Sequence, residues 1–263
     1  MRRILRILVL CTAVLGGLPA HATVMTVTFN NPGVQSADSV ALCVGTTICG
    51  IGVENFDGRT SATLRSGFTA TFVNASGITI TGNYTADATA QSGTNLINSA
   101  ANQYGGAGLA GSYPQLFQGS YTINLTTSGA PGVNYFGLWI SALDAQNALS
   151  FYSGNNLLLA FTPTQMLAVI NGRSDRTSYF GNPNNQTLNT AEPYAFVNFF
   201  ATDGTFDRVV FSNVGGTAFE SDNHTVAYRN PAPIIGNAIP APWSASVLMT
   251  ALAGLAWVRR RTA

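Results

Sequence analysis

Lysine is absent from this 263-residue chain, and all 12 of its cations are Arg. Arg2, Arg3 and Arg6 open the chain and Arg259, Arg260 and Arg261 close it, which leaves six Arg against all eleven acids in residues 23–239. That stretch has a net charge of −5. Without clustered cations on one face it lacks a nucleic-acid footprint, so no nucleic-acid partner is expected. Histidine is almost as scarce: His21 lies in the leading apolar segment, and His224 is the one imidazole of the body. Cys11 also lies in that leading segment, leaving Cys43 and Cys49. Zinc wants about four ligands, and only His224 could join those two thiolates. The G-x-S-x-G nucleophile elbow is missing, and a Ser-His-Asp set could draw only on His224, with no identifiable nucleophile. No long segment combines helical periodicity with caps. These absences weigh against an enzyme and against an α-rich fold.

The ends of the chain carry an address. Arg2, Arg3 and Arg6 form a basic region, Ile7 to Leu18 an apolar core, and Ala20-His21-Ala22 a small-x-small cleavage site. This is the order of a secretory signal, with cleavage by signal peptidase expected after Ala22; the alternative is an uncleaved anchor. At the other end, residues 230–242 (NPAPIIGNAIPAP) read as a Pro-rich extended linker. Trp243 to Val258 is uncharged and apolar or small throughout, and Arg259–Arg261 follow at once. At 1.5 Å per residue such a helix reaches about 24 Å, short of a full bilayer core by an amount that snorkelling Arg side chains can cover. The positive-inside rule puts the 259–263 tail in the cytoplasm and the body outside the inner membrane, the orientation the signal also requires.

Between these ends the body is rich in Thr, Gly and Asn, at 26, 24 and 23 residues in 23–239, a mixture of strand and turn formers. Alternation of period two recurs at Val24–Phe29, Phe68–Val73, Ile78–Thr81, Tyr121–Leu125, Tyr135–Ile140, Leu149–Tyr152, Leu157–Phe161, Tyr194–Phe200, Phe206–Phe211 and His224–Tyr228. Ser153–Asn156 and Thr202–Thr205 read as the turns of hairpins, the second through its Asp-Gly pair. Only Thr164–Ile170 looks briefly helical. The stretch from Ala86 to Ser112 reads as an irregular surface loop. Its Gly106–Gly111 segment fits G-x-G-x-x-G, but Ser112-Tyr113-Pro114 and a strand follow where a dinucleotide site needs a helix. The expected fold is all-β, a β-sandwich or jelly roll over residues 23–229.

The C-terminal order of parts, Pro240-Ala241-Pro242, then Trp243–Val258, then Arg259–Arg261, resembles the PEP-CTERM sorting signal of exosortase-processed bacterial surface proteins. Ala241 stands where that family usually has Glu. Within the body, YGGAGLAGS (104–112), YFGLWISALD (135–144), LSFY (149–152), YFGNP (179–183), EPYAFVNF (192–199), FDRVVFSN (206–213) and FESDNHTV (219–226) look like one group of these proteins. The resemblance implies processing by an exosortase-type enzyme after passage through the inner membrane. It then implies residence at the cell surface or beyond it, beside extracellular polysaccharide. A permanent C-terminal anchor is the alternative.

Cys43 and Cys49, in CVGTTIC, are expected to pair in an oxidising compartment. Glu54, Asp57, Glu220 and Asp222 supply hard oxygens from the first and last strands, which neighbour each other in many sandwiches, and make a candidate calcium set; the same residue types also serve as turn caps. Tyr beside polar loops (Tyr104, Tyr113, Tyr152, Tyr179) offers sugar platforms, which singles out Tyr179, Asp222 and His224 as candidate ligand contacts. Trp139, Phe136, Phe196, Phe199 and Phe211 alternate within strands and belong to the core. No organic cofactor is expected. The favoured function is a non-enzymatic exported surface protein that binds glycan weakly; the alternative is a secreted carbohydrate-active enzyme using Glu192 with Glu220 or Asp222.

Overall fold

A computed structural model describes residues 23–59, 63–75, 77–91, 96–99, 106–108, 111–185, 187–231 and 233–239. The signal segment with Ala20 and Ala22, Tyr104, the Pro240-Ala241-Pro242 motif, the 243–258 segment and Arg259–Arg261 lie outside the described residues.

Strands make up most of the regular structure among the described residues. In order it runs β1 (Met25–Phe29), α1 (Ser39–Cys43), β2 (Ile48–Glu54), α2 (Thr63–Ser66), β3 (Phe68–Ala75), β4 (Ile78–Ala86), α3 (Ala88–Gln91) and β5 (Leu96–Ser99). There follow β6 (Ser112–Leu116), β7 (Gly119–Ser128), β8 (Tyr135–Ser141), β9 (Asn147–Ser153), β10 (Asn156–Phe161), α4 (Pro163–Asn171), β11 (Ala195–Ala201), β12 (Arg208–Asn213), β13 (Phe219–Asn230) and β14 (Asn237–Ala238). The strands form two antiparallel sheets around a shared apolar core, a β-sandwich. The larger sheet has the order β14-β1-β11-β8-β13-β6-β5, with β2 also paired to β13. The smaller has the order β10-β9-β12-β7-β4-β3.

Alternation explains the smaller sheet directly. In β4, Ile78, Ile80 and Tyr84 are buried while Thr79, Thr81, Asn83 and Thr85 are not. Across the outer face Thr81 and Thr126 share a 2.6 Å hydroxyl contact, a cross-strand pair that reinforces the register. The central strands β8 and β11 are different: every residue of YFGLWIS and AFVNFFA is buried, because loops and a short helix cover the outer face of the large sheet. One of these is α1, capped by Asp38 Oδ1 accepting from Ala41 N–H at 2.9 Å. Its Leu42 packs on Tyr135, Phe200 and Ala227, and the Cys43–Cys49 disulfide ties its end to β2. The helix α4 buries Pro163, Met166 and Ile170 on one face and starts with Pro at its first turn, where a missing N–H costs nothing.

Three expectations are revised. Thr202–Thr205 is not a hairpin turn: β11 lies in the large sheet and β12 in the small one. β11 already has partners on both edges, and Asp203 Oδ1 accepts from Val24 N–H, so this turn carries the chain across the sandwich. The 86–112 stretch contains α3 and β5 and runs from the end of β4 to the start of β6. The linker expected from residue 230 is partly sheet: β13 runs to Asn230, and Asn237 and Ala238 pair with Phe29 and Thr28 as an added edge.

The registers define two poles. Met25, Ala201, Tyr135 and Ala227 stand level at one. At the other lie Phe29, Val197, Ile140 and Ser221. Ile239 N–H donates to Val27 O, so the chain leaves β14 running back alongside β1 toward the pole at which β1 begins. The opposite pole gathers Glu54, Asp57, Asp144, Glu192, Glu220 and Asp222 at strand ends and adjoining loops.

Candidate functional site

Polar residues concentrate on β13, whose sequence FESDNHTVAYRN resists simple alternation. Its pairing with β8 runs Ser221↔Ile140 and Asp222↔Trp139, then skips to Thr225↔Gly137. The extra residue is a β-bulge, with Asn223 at φ 49°. A bulge reverses which parity faces inward. Before it Phe219 and Ser221 face the core, and after it His224 and Val226 do. The strand therefore delivers two polar side chains into the sandwich interior and two acids, Glu220 and Asp222, to the opposite face.

Inside, His224 is fully buried. Its Nδ1 lies 3.1 Å from Tyr84 Oη and its Nε2 lies 3.0 Å from Ser221 Oγ, which is 3.4 Å from Tyr121 Oη. Phe56 meets the imidazole edge-on at 4.8 Å and Phe211 stacks at 4.9 Å. Burial alone pushes the imidazole down to about 3, so it is neutral at physiological pH, and burial raises both tyrosines well above their ordinary range. Ser221 beside His224 has the spacing of a nucleophile and its base, but a tyrosine hydroxyl stands where an orienting carboxylate belongs. Ser221, His224, Tyr84 and Tyr121 are each no more than 1 % exposed. The set is a sealed polar network within the core.

Outside, Glu220 and Asp222 flank an aromatic cluster of Trp139, Tyr194 and Phe196, with the two larger rings 5.7 Å apart. Asp222 Oδ2 accepts from Ala107 N–H at 2.7 Å and Oδ1 from Asn223 N–H at 2.6 Å. Burial nevertheless pushes its carboxyl up to about 7, with Asp57 and Glu54 adding to the rise. Glu220 accepts from Gln115 Nε2 at 2.8 Å, and burial, with a smaller push from Asp144, takes it to about 7 as well. Glu192 is raised by burial and by Asp144. The glycine-rich loop is docked on these acids. A Cβ on Gly106 would stand 2.6 Å from Asp222 Oδ2, and one on Gly111, at φ 131°, would stand 2.2 Å from Asp57 Oδ1. Gln35 bridges this loop to Asn184, which donates to Gly108 O at 2.7 Å. Two carboxyls that titrate near neutrality beside Trp and Tyr rings are a combination suited to sugar chemistry, but both are 3 % exposed under the loop.

The candidate ligand contacts are thus redistributed. Tyr179 is 1 % exposed; its ring meets Phe29 edge-on at 5.7 Å and its hydroxyl donates to Asn30 O. It anchors the fold and offers no platform, and Tyr113 is likewise buried. Asp222 and His224 lie on opposite faces of their strand. The first and last acids do approach, since β2 pairs with β13 and Glu54 stands opposite His224. They do not form a calcium set. Glu54 accepts from Phe56 N–H and pairs with Arg59, Asp57 accepts from Asn55 and Ser112, and Glu220 turns to Gln115. Among the described residues no group of three or more His, Cys, Asp or Glu converges as a metal site. Sequence reasoning missed Gln115, Asp144, Ser221 and Tyr84, and treated Trp139 as core alone. The signal for them was the polar run of β13, which no one-sided strand can carry.

No family model matches the chain, and neither a curated protein nor a solved structure does. Among the described residues no helix is long and apolar enough to cross a membrane.

Proposed function

We propose that the chain is an exported surface protein: a β-sandwich carried across the inner membrane by residues 1–22 and held there by Trp243–Val258. It would then be sorted through a PEP-CTERM-like signal to an extracellular polysaccharide layer. The single observation that carries this reading is the antiparallel pairing of β14 with β1. It sends the departing chain to the pole where the mature N-terminus would begin. Three residues separate Ile239 from Trp243, a reach of about 13 Å in extended chain. The body would sit close over the membrane with its acidic pole outward, away from anionic lipid. Its role is display, with glycan contact through neutral polar loops and no chemistry.

The alternative, a carbohydrate-active enzyme, is favoured by the Glu220–Asp222 pair beside Trp139 and Tyr194. It requires Gly106 and Ala107 to lift from Asp222. Protease added to intact spheroplasts tests the display reading: the body should be digested while a cytoplasmic control survives. Protection of both would refute the orientation. Release of reducing sugar that Glu220→Gln abolishes would favour the enzyme.

A further inference from the structure

At the pole where β1 begins, the large sheet ends in a rim of exposed apolar side chains. Val24 stands there, just ahead of β1. The helix α1 adds two more. Val44 N–H donates to Val40 O at 3.0 Å, so the two valines lie one turn apart, and Leu42 between them is the residue that faces the sheet. Val40 is 73 % and Val44 64 % exposed, so neither contributes much to packing. The Cys43–Cys49 disulfide holds the end of α1 close to Ile48, which is exposed at the start of β2. Ile48 pairs with Asn230, the last residue of β13, past the level of Ala227. Ile234 is exposed in the segment beside α1, where its neighbour Ile235 packs with Leu42.

Single exposed aliphatic residues are ordinary, but a group gathered at one end of a molecule marks a contact surface. What meets this rim follows from where the chain goes. The pairing of β14 with β1 brings the chain back toward this pole at Ile239, and Trp243–Val258 begins about 13 Å further on at most. Residues 1–22 lead into Val24 at the same pole. Charge points the same way. Glu54, Asp57, Asp144, Glu192, Glu220 and Asp222 gather at the opposite pole. Asp38 and Asp203 border the rim, each accepting a backbone N–H, and Arg229 beside it is buried.

We propose that this rim docks on the lipid bilayer, with Val40, Val44 and Ile48 set into the interfacial layer of a zwitterionic leaflet. The proposal rests on the anchoring of Trp243–Val258 given above. Burial of the aliphatic side chains supplies the attraction, and the two bordering carboxylates oppose anionic lipid. Because the anchor already tethers the rim at the surface, a contact too weak to hold a free protein suffices. The contact fixes the orientation of the body and turns its acidic pole away from the membrane.

The test places the full-length chain, carrying ¹³C-methyl valine and isoleucine, in phosphatidylcholine nanodiscs with and without lipid bearing a nitroxide on its acyl chain. The methyl signals of Val40, Val44 and Ile48 should lose most of their intensity to the nitroxide, as should those of Val247 and Val258 in the anchor. Val53, exposed at the other end of β2, should keep its own. Val40→Asp combined with Val44→Asp changes two exposed side chains. It should leave the melting temperature unchanged and restore the Ile48 signal. Loss confined to Val247 and Val258 would overturn the docking while leaving the anchor in place. Loss at Ile48 that the double variant does not relieve would reduce the contact to tethering and also overturn it. A rim shielded from a water-soluble relaxation agent yet untouched by the nitroxide would assign it to a second copy of the chain, against the proposal. No loss at any site would overturn the anchor and the docking together.

Discussion

The paired carboxyls and the buried imidazole act on stability in opposite directions, which permits a test by sign. For Glu220 and Asp222 the folded values, about 7, lie above the ordinary 4.5 and 3.8. The folded state therefore holds more protons than the unfolded one through this window, and the stability present at low pH is lost as pH rises through 7. At about 1.4 kcal/mol per pH unit, each carboxyl costs about 2.5 kcal/mol between pH 5 and 8. His224 has the reverse shift, from 6.5 down to about 3. Its contribution is complete above pH 6.5 and falls as pH drops, so it returns about 2 kcal/mol over the same interval. The net expectation is that the wild-type protein loses about 3 kcal/mol from pH 5 to pH 8. Asp222→Asn should leave the profile nearly flat, and Asp222→Asn with Glu220→Gln should reverse it, giving a protein that gains stability toward pH 8. Urea denaturation followed by far-ultraviolet circular dichroism at half-unit steps reads all three curves. A double variant that still loses stability with rising pH would refute the assignment of these carboxyls as buried and neutral.

Two further outcomes follow from the core and the staple. His224→Phe should cost about 2–3 kcal/mol at pH 7, because Ser221 Oγ and Tyr84 Oη lose their partner. It should also steepen the gain in stability between pH 6.5 and 5, because the opposing contribution of the imidazole is gone, and an unchanged slope would point to another group. Replacing Cys43 and Cys49 together by Ser should lower stability by about 2 kcal/mol, the loop-closure value for six residues. An unchanged denaturation midpoint would mean that the docking of Leu42 alone fixes α1.

Much of the sandwich is legible as alternation: the strands at Met25, Phe68, Ile78 and Tyr121 carry β-branched and aromatic residues in period two. The elements that escape it have physical reasons. In β2, ICGIGVE, two glycines blur the pattern; in β6, SYPQL, a proline interrupts it; β14 lies among prolines. Asp203-Gly204 looks like a hairpin because turn chemistry is local, while the choice of sheet depends on which strand edges are already occupied. The site was legible in its residues and not in their roles. Asp222 and His224 stand out as a rare acid and the lone imidazole, yet their burial depends on the bulge at Asn223 and on a loop more than a hundred residues earlier in the chain. Neither feature leaves a periodic trace.

The mass of the protein recovered from the cell surface tests the display reading most directly. The account predicts a chain that begins at Thr23 and ends at or before Pro242, its disulfide intact and its hydrophobic segment removed. A surface species that retains Trp243–Ala263 would contradict the sorting step. A full-length species beginning at Met1 and confined to the cytoplasm would contradict the account as a whole.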